Sequence, residues 1–230
     1  VLREYSSEVQ IYSIDESFVR VETSDMSIAQ IENWAKEVNR QILLRTCIPV
    51  SVGVASTKTL AKIAGYTAKQ QGRNGQGTGF SIITEKVLER VLRDTYIGSV
   101  WGIGGRLANR MRQLGIKTTY DLIVRDDHWV RAHFGIIGLR IKYELIGLSS
   151  SRVEQQESER KGISSTRSFG KNVYDRKELG QSLYKHIMVA TRKLRRQGSV
   201  ASQLSIFIRT GKHKRGPQYH GKTYRELMIP

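Results

Sequence analysis

Cysteine and proline are nearly missing from these 230 residues: there is one of the former, Cys47, and there are three of the latter. A lone cysteine closes no internal bridge, and no Cys/His set has zinc-ligand spacing. A disulfide framework and a structural zinc are therefore excluded, and the reading is a reducing, cytoplasmic compartment. Cys47 is expected to be a small buried hydrophobe. No apolar run approaches the ~20 residues that a membrane-spanning helix takes, and the opening residues lack a charged start followed by an apolar stretch. Neither a membrane partner nor an export signal is expected. The five histidines (128, 133, 186, 213 and 220) show no ligand spacing either. A hydrophobic content of 39% is nonetheless enough for packed cores.

Acidic residues are scarce toward the end of the chain. Residues 161–230 hold 16 Lys/Arg against 3 Asp/Glu, a net +13, whereas residues 1–160 hold 22 against 18 and contribute only +4 of the total +17. A basic excess concentrated in this way favours a polyanionic partner, because each neutralised phosphate releases condensed counterions.

Where acids do cluster, the pattern is informative. Asp15 and Glu16 are adjacent between two runs with strand character: Val9, Ile11 and Ser13 alternate before them, and Phe18 to Val21 follows. Asp and Glu form strands poorly, and two neighbouring carboxylates repel each other. Such a pair is either a solvated hairpin tip or a site where a cation neutralises it.

The remaining pattern alternates strands with helices. Ile28, Ile31, Ala35, Val38 and Ile42 recur at helical spacing; Val50 to Ala55 reads as a strand; Ser56 can cap a helix from about Thr57 to Lys69. Gly72 to Gly79 is expected to be a loop, and Thr84 to start the next helix. Residues 95–148 read as short helices, stopped at Gly115, Gly135 and Gly147, with Asp126 as a start. Polar, aperiodic Ser149 to Arg160 is a linker. Beyond it come a strand near Ile163 to Phe169, a helix carrying Leu179, Leu183, Ile187, Ala190 and Leu194 on one face and stopped by Gly198, and a strand with Leu204, Ile206 and Ile208 alternating.

Several ordered motifs carry a resemblance. Ser13-Ile-Asp-Glu16, followed by a small residue and an aromatic, resembles the palm motif of the Y-family translesion DNA polymerases, and Ile48 to Lys62 resembles the strand and helix that follow it there. Val100-Trp-Gly-Ile-Gly-Gly105, Leu114 to Thr118 and Ser165 to Gly170 match further motifs in the same order. The resemblance implies an α+β fold: a partial palm at 1–94, a small helical thumb with a helix-hairpin-helix at 95–148, the linker at 149–160 and a partial β-α-β little finger at 161–230.

It also implies a chemistry, error-prone synthesis opposite damaged template within an SOS response. Asp15 and Glu16 would be catalytic and would hold Mg²⁺ in a two-metal site. Lys69, and with it Lys62, would bind the triphosphate of the incoming deoxynucleotide. Gly102, Gly104, Gly105 and Arg106 at the hairpin, and Arg167 beyond the linker, would contact the backbone of primer-template DNA. The implied protein partners are the UmuD′ dimer, RecA and the sliding clamp. The family takes a third carboxylate from an Asp in its first strand, and no Asp here has that context. The chain is thus expected to be a piece cut at both ends, lacking the fingers and the clamp-binding tail, and inactive by itself. A DNA-binding module without chemistry is the alternative.

Overall fold

Strand and helix signals close together in the first half of the chain build a layered unit. In the computed structural model the described residues are 1–71, 79–81, 85–150, 153, 161–211 and 218–227. They divide into two units, Val1–Gln156 and Glu157–Pro230.

In the first unit β1 (Val9–Ile11) and β2 (Ser17–Val19) pair antiparallel, with Gln10 opposite Phe18. α1 (Ile28–Thr46) opens with a capping box: Ser27 Oγ accepts the Gln30 amide at 3.3 Å, and the Gln30 side chain accepts the Ser27 amide at 2.8 Å. Its Ile31, Ala35 and Val38 are buried where it lies against β3 (Val52–Val54) and β4 (Gly79–Ser81). These two strands are parallel, so a crossover must join them, and α2 (Lys58–Gln71) supplies its helix. The helix is capped one residue later than expected: the Thr57 hydroxyl, not that of Ser56, accepts the Leu60 amide at 3.3 Å. Cys47 corrects its expectation. It ends α1 in the left-handed conformation, φ 56°, and is exposed, because a residue that reverses the chain there points away from the helix's packed face.

α2 seats on β3 through one glycine. A Cβ on Gly53 would stand 2.2 Å from both the Ala61 carbonyl oxygen and the Gly65 amide nitrogen, backbone atoms that cannot rotate aside. Gly53→Ala is therefore expected to lower the stability of the first unit by about 3 kcal/mol, at the upper end of ordinary overpacking costs. Urea unfolding followed by circular dichroism checks this; an unchanged midpoint would show that α2 can shift at no cost.

The helices α3 (Glu85–Asp94), α4 (Gly105–Gln113), α5 (Thr119–Ile123) and α6 (Asp127–Leu145) share one apolar core with α2. Leu60 and Ala64 from α2 belong to the same cluster as Met111, Ile116, Leu122, Val130 and Leu145, so the core runs unbroken across residues 94 and 95. Asp126 caps α6 as expected, its carboxylate accepting the Trp129 amide at 2.9 Å. At Gly135 (φ 66°, ψ −164°) the backbone leaves the helical region, so the span Asp127–Leu145 is two helices meeting across a kink at the expected stop. Gly115 and Gly147, at φ 82° and 89°, also follow helix ends.

The second unit holds α7 (Arg176–Gln197), capped by the Asp175 carboxylate and ended by Gly198 at φ 69°. β5 (Gln203–Arg209) pairs antiparallel with β6 (His220–Glu226), a strand whose polar sequence gave no alternating signal. Ile163 to Phe169 is not a strand, which corrects the expectation. Its polar groups are directed at α7 instead: the Ser164 carbonyl accepts the Lys193 ammonium at 3.1 Å, and Ser165 Oγ lies 2.9 Å from His186 Nδ1. Leu179, Leu183, Ala190 and Leu194 form a half-buried stripe on α7, while Tyr184, Met188 and Val189 are exposed. The expected loop at 72–79 lies almost entirely outside the described residues, as do Thr84 and most of the 149–160 linker.

Candidate active site

The turn between β1 and β2 is closed by main-chain bonds: the Tyr12 and Ser13 amides both donate to the Glu16 carbonyl at 3.0 Å. Ser13 Oγ donates to Asp15 Oδ1 at 2.6 Å. That bond, then the aspartate's own backbone amide, then the nearby charges of Lys62 and Lys69, hold the Asp15 carboxyl below the ordinary aspartate range. Both carboxylates are exposed at the tip. Asp15 is ionised at neutral pH.

α2 brings its lysines to this turn because Lys58, Lys62 and Lys69 recur at helical spacing on one face. Lys62 Nζ donates to both oxygens of Glu16 at 2.8 Å. Its ammonium also stands 5.5 Å from the ring centre of Tyr12 and 5.7 Å from that of Trp101. Lys58 donates to the Gln10 side chain at 2.7 Å and sits 5.4 Å from the Phe18 ring centre. Lys69 is exposed in the last turn of α2, close enough for its charge to act on Asp15. Four of the site residues read from the sequence are thus gathered in one place, Asp15, Glu16, Lys62 and Lys69, with Lys62 engaged by a carboxylate.

Residues Gly102 to Arg106 form a turn and the start of α4. Gly102 takes φ 89°, Gly104 is the N-cap without a side-chain cap, and a Cβ on Gly104 or Gly105 would meet nothing within 4 Å. The helix start is therefore open, with its first amides facing outward and Arg106 exposed beside it. A single 3₁₀ turn, Ile97–Ser99, stands where a first helix was expected. Arg167 is exposed in the irregular segment before α7, in the second unit.

Two features escaped the sequence. Trp101 reaches the carboxylate turn, its indole N–H donating to the Tyr12 hydroxyl at 3.0 Å. Glu144, 3% exposed, fastens three segments: its carboxylate accepts the Thr59 amide at the start of α2 (3.2 Å) and the Ser150 amide (2.6 Å), and its carbonyl accepts the Thr57 hydroxyl (2.7 Å). Trp101–Tyr12 and the bonds from Glu144 to Thr57 and Thr59 join residues 85 or more apart, which leave no periodic signal in a single sequence.

Asp15 and Glu16 offer hard oxygen donors in an accessible turn, which fits a divalent ion that takes its other ligands from water and phosphate. Among the described residues no group of three or more His, Cys, Asp or Glu is gathered. No helix among them is long and apolar enough to cross a membrane.

The architecture is that of the Y-family DNA polymerases. A solved Y-family DNA polymerase chimera aligns with 99% of this chain at a TM-score of 0.72 and 22% identity, the chain covering 62% of it. DinB from Sulfolobus solfataricus aligns over 99% at 0.54 and 20%, again with 62% of that protein covered. The impB/mucB/samB family model matches residues 1–66, and the model of that family's C-terminal domain matches residues 160–230. The chain belongs to the impB/mucB/samB family and is UmuC-like. It is 33% identical to Protein UmuC of Salmonella typhimurium across 99% of its own length and 54% of that protein's. DNA polymerase IV 1 of Bacillus subtilis is 28% identical over 91% of this chain and 49% of the polymerase. The chain spans about half the length of these curated relatives.

Proposed function

We propose that the protein carrying this chain is a DNA-directed DNA polymerase that joins a primer 3′-hydroxyl to the α-phosphate of a deoxynucleoside triphosphate, including opposite damaged template bases. The observation that carries this reading is the accessible, ionised Asp15 beside Glu16 on a strand turn, flanked by lysines of α2. Asp15 and Glu16 would hold Mg²⁺, which when bound lowers the pKa of the attacking hydroxyl and offsets charge on the leaving pyrophosphate. Lys69 is free to reach a triphosphate from the end of α2. Lys62 would serve the same substrate once released from Glu16. The open start of α4, with Gly102, Gly104, Gly105 and Arg106, would take a DNA phosphate through backbone amides without reading sequence. Arg167 would make a further backbone contact. The same reading puts the protein in the cytoplasm, in an SOS response, with the UmuD′ dimer, RecA and the sliding clamp as partners.

Primer extension by the full-length gene product tests the proposal, and one substitution tests the site. Lys69→Ala is expected to raise the KM for the deoxynucleotide about tenfold with a smaller change in kcat, the signature of lost ground-state binding. Extension by the wild type with an unchanged KM in the variant would remove Lys69 from the triphosphate site. DNA binding without extension under any divalent ion would leave a binding module.

A further inference from the structure

Trp101 stands immediately before Gly102, at the turn proposed to hold a DNA phosphate, yet its side chain belongs to the carboxylate turn. The indole N–H donates to Tyr12 Oη at 3.0 Å, and the two rings meet edge to face, with centres 5.3 Å apart at 85°. Phe18, on the other strand of the hairpin, completes a triad, 5.7 Å from each ring. The Tyr12 amide is also one of the two, with that of Ser13, that close the turn onto the Glu16 carbonyl. The two rings that bond each other flank the ammonium of Lys62, which bonds both oxygens of Glu16. Edge-to-face aromatic pairs and cation–ring contacts each contribute modestly and directionally. Two edge-to-face pairs at Tyr12 and two cation–ring contacts of Lys62 converge here on the side chains that fix one carboxylate.

We propose that Trp101 is a positioning residue for the Asp15–Glu16 turn, holding Tyr12 so that the turn Tyr12 helps to close presents both carboxylates to a metal ion, and tying that geometry to the Gly102–Arg106 turn. Trp101 touches neither substrate nor metal. It acts through Tyr12. Gly102 takes its positive φ directly after the indole, so the turn that opens α4 begins at the residue next to Trp101. DNA engaged at the start of α4 would thereby be sensed at the carboxylates. The inference rests on the proposed function and adds to it a residue outside the metal, nucleotide and DNA contacts.

The test uses the full-length gene product with Trp101→Phe, which keeps a ring and removes the N–H, and Tyr12→Phe, which removes the acceptor. Free Mn²⁺ is titrated by electron paramagnetic resonance without nucleotide, alongside primer-template affinity, melting temperature and single-turnover extension. Both variants are expected to weaken Mn²⁺ binding about fivefold and to slow extension about tenfold, with DNA affinity within about twofold. The double variant should be no worse than either single one, because all three lose the same bond. Unchanged Mn²⁺ affinity in both single variants overturns the proposal, as do additive effects or losses that track the melting temperature alone. Weakened Mn²⁺ binding in a protein whose wild type does not extend primers would support Trp101's role while refuting the polymerase reading. Wild-type extension with Mn²⁺ affinity insensitive to both variants would do the reverse. Absence of Mn²⁺ binding by the wild type would overturn both.

Discussion

Deleting residues 161–230 from the full-length product is expected to cost most of its DNA affinity at low salt and to flatten the salt dependence of what remains. The region concentrates a net +13, and Arg167, Lys171, Arg192, Arg195 and Arg196 are all exposed, whereas Lys193 is directed onto the Ser164 carbonyl. With about six phosphate contacts, the slope of log affinity against log salt is roughly −5, which weakens binding about a thousandfold between 50 and 200 mM. Removing the region should reduce that slope to about −2. Replacing Gly104 and Gly105 by alanine should change it by no more than about one or two contacts. Because a truncated protein can lose more than charge, glutamine at the five exposed positions is the companion variant and should flatten the slope in the same direction. Fluorescence anisotropy with duplexes of unrelated sequence checks both. A slope unchanged by either alteration would make the basic third a solvated surface and the α4 turn the principal DNA contact.

The second large effect is chemical. Asp15→Ala and Glu16→Ala are each expected to reduce primer extension at least about a thousandfold, the consequence of losing several kcal/mol of metal-ion stabilisation at about 1.4 kcal/mol per tenfold in rate. DNA affinity should stay within about twofold, since the turn presents acids and not cations to a polyanion. The two variants should differ in one respect. Glu16→Ala also frees Lys62, whose ammonium is then held only by the Tyr12 and Trp101 rings, so nucleotide affinity is expected to survive or improve in that variant alone. Gel-based extension and nucleotide binding measured in parallel resolve the two. Near wild-type rates in both would reduce the pair to a charged hairpin tip.

What was legible in the sequence was local. Alternation on either side of Asp15 and Glu16 foretold the hairpin, Ile31, Ala35 and Val38 foretold the buried face of α1, and Asp126 foretold the start of α6. Each depends on neighbours within a turn or two of chain. The failures share a different cause. β6 is stabilised by pairing with β5 and carries too few apolar residues to alternate, so nothing in His220–Glu226 announces it. Ile163 to Phe169 has strand composition, but its polar groups meet the side chains of α7 rather than a ladder. Gly135, by contrast, does end a helix as read, and a second one starts directly after the kink, with Val130 and Phe134 before it and Leu139 after it in one core. In the site, lysines at helical spacing were visible, but the bond from Lys62 to Glu16 and the reach of Trp101 to Tyr12 span 46 and 89 residues. Pairings at that distance are decided by how β3 and α2 seat against each other, and no single-sequence pattern records that.

Single-turnover incorporation of one nucleotide by the full-length gene product, across the four possible template bases with Mg²⁺, tests the central claim most directly. Pre-bound primer-template should gain one nucleotide whose identity follows the template base, and Asp15→Asn should abolish the reaction while the complex still forms. Incorporation by the Asp15→Asn protein at the wild-type rate, or a product independent of the template base, would contradict the account.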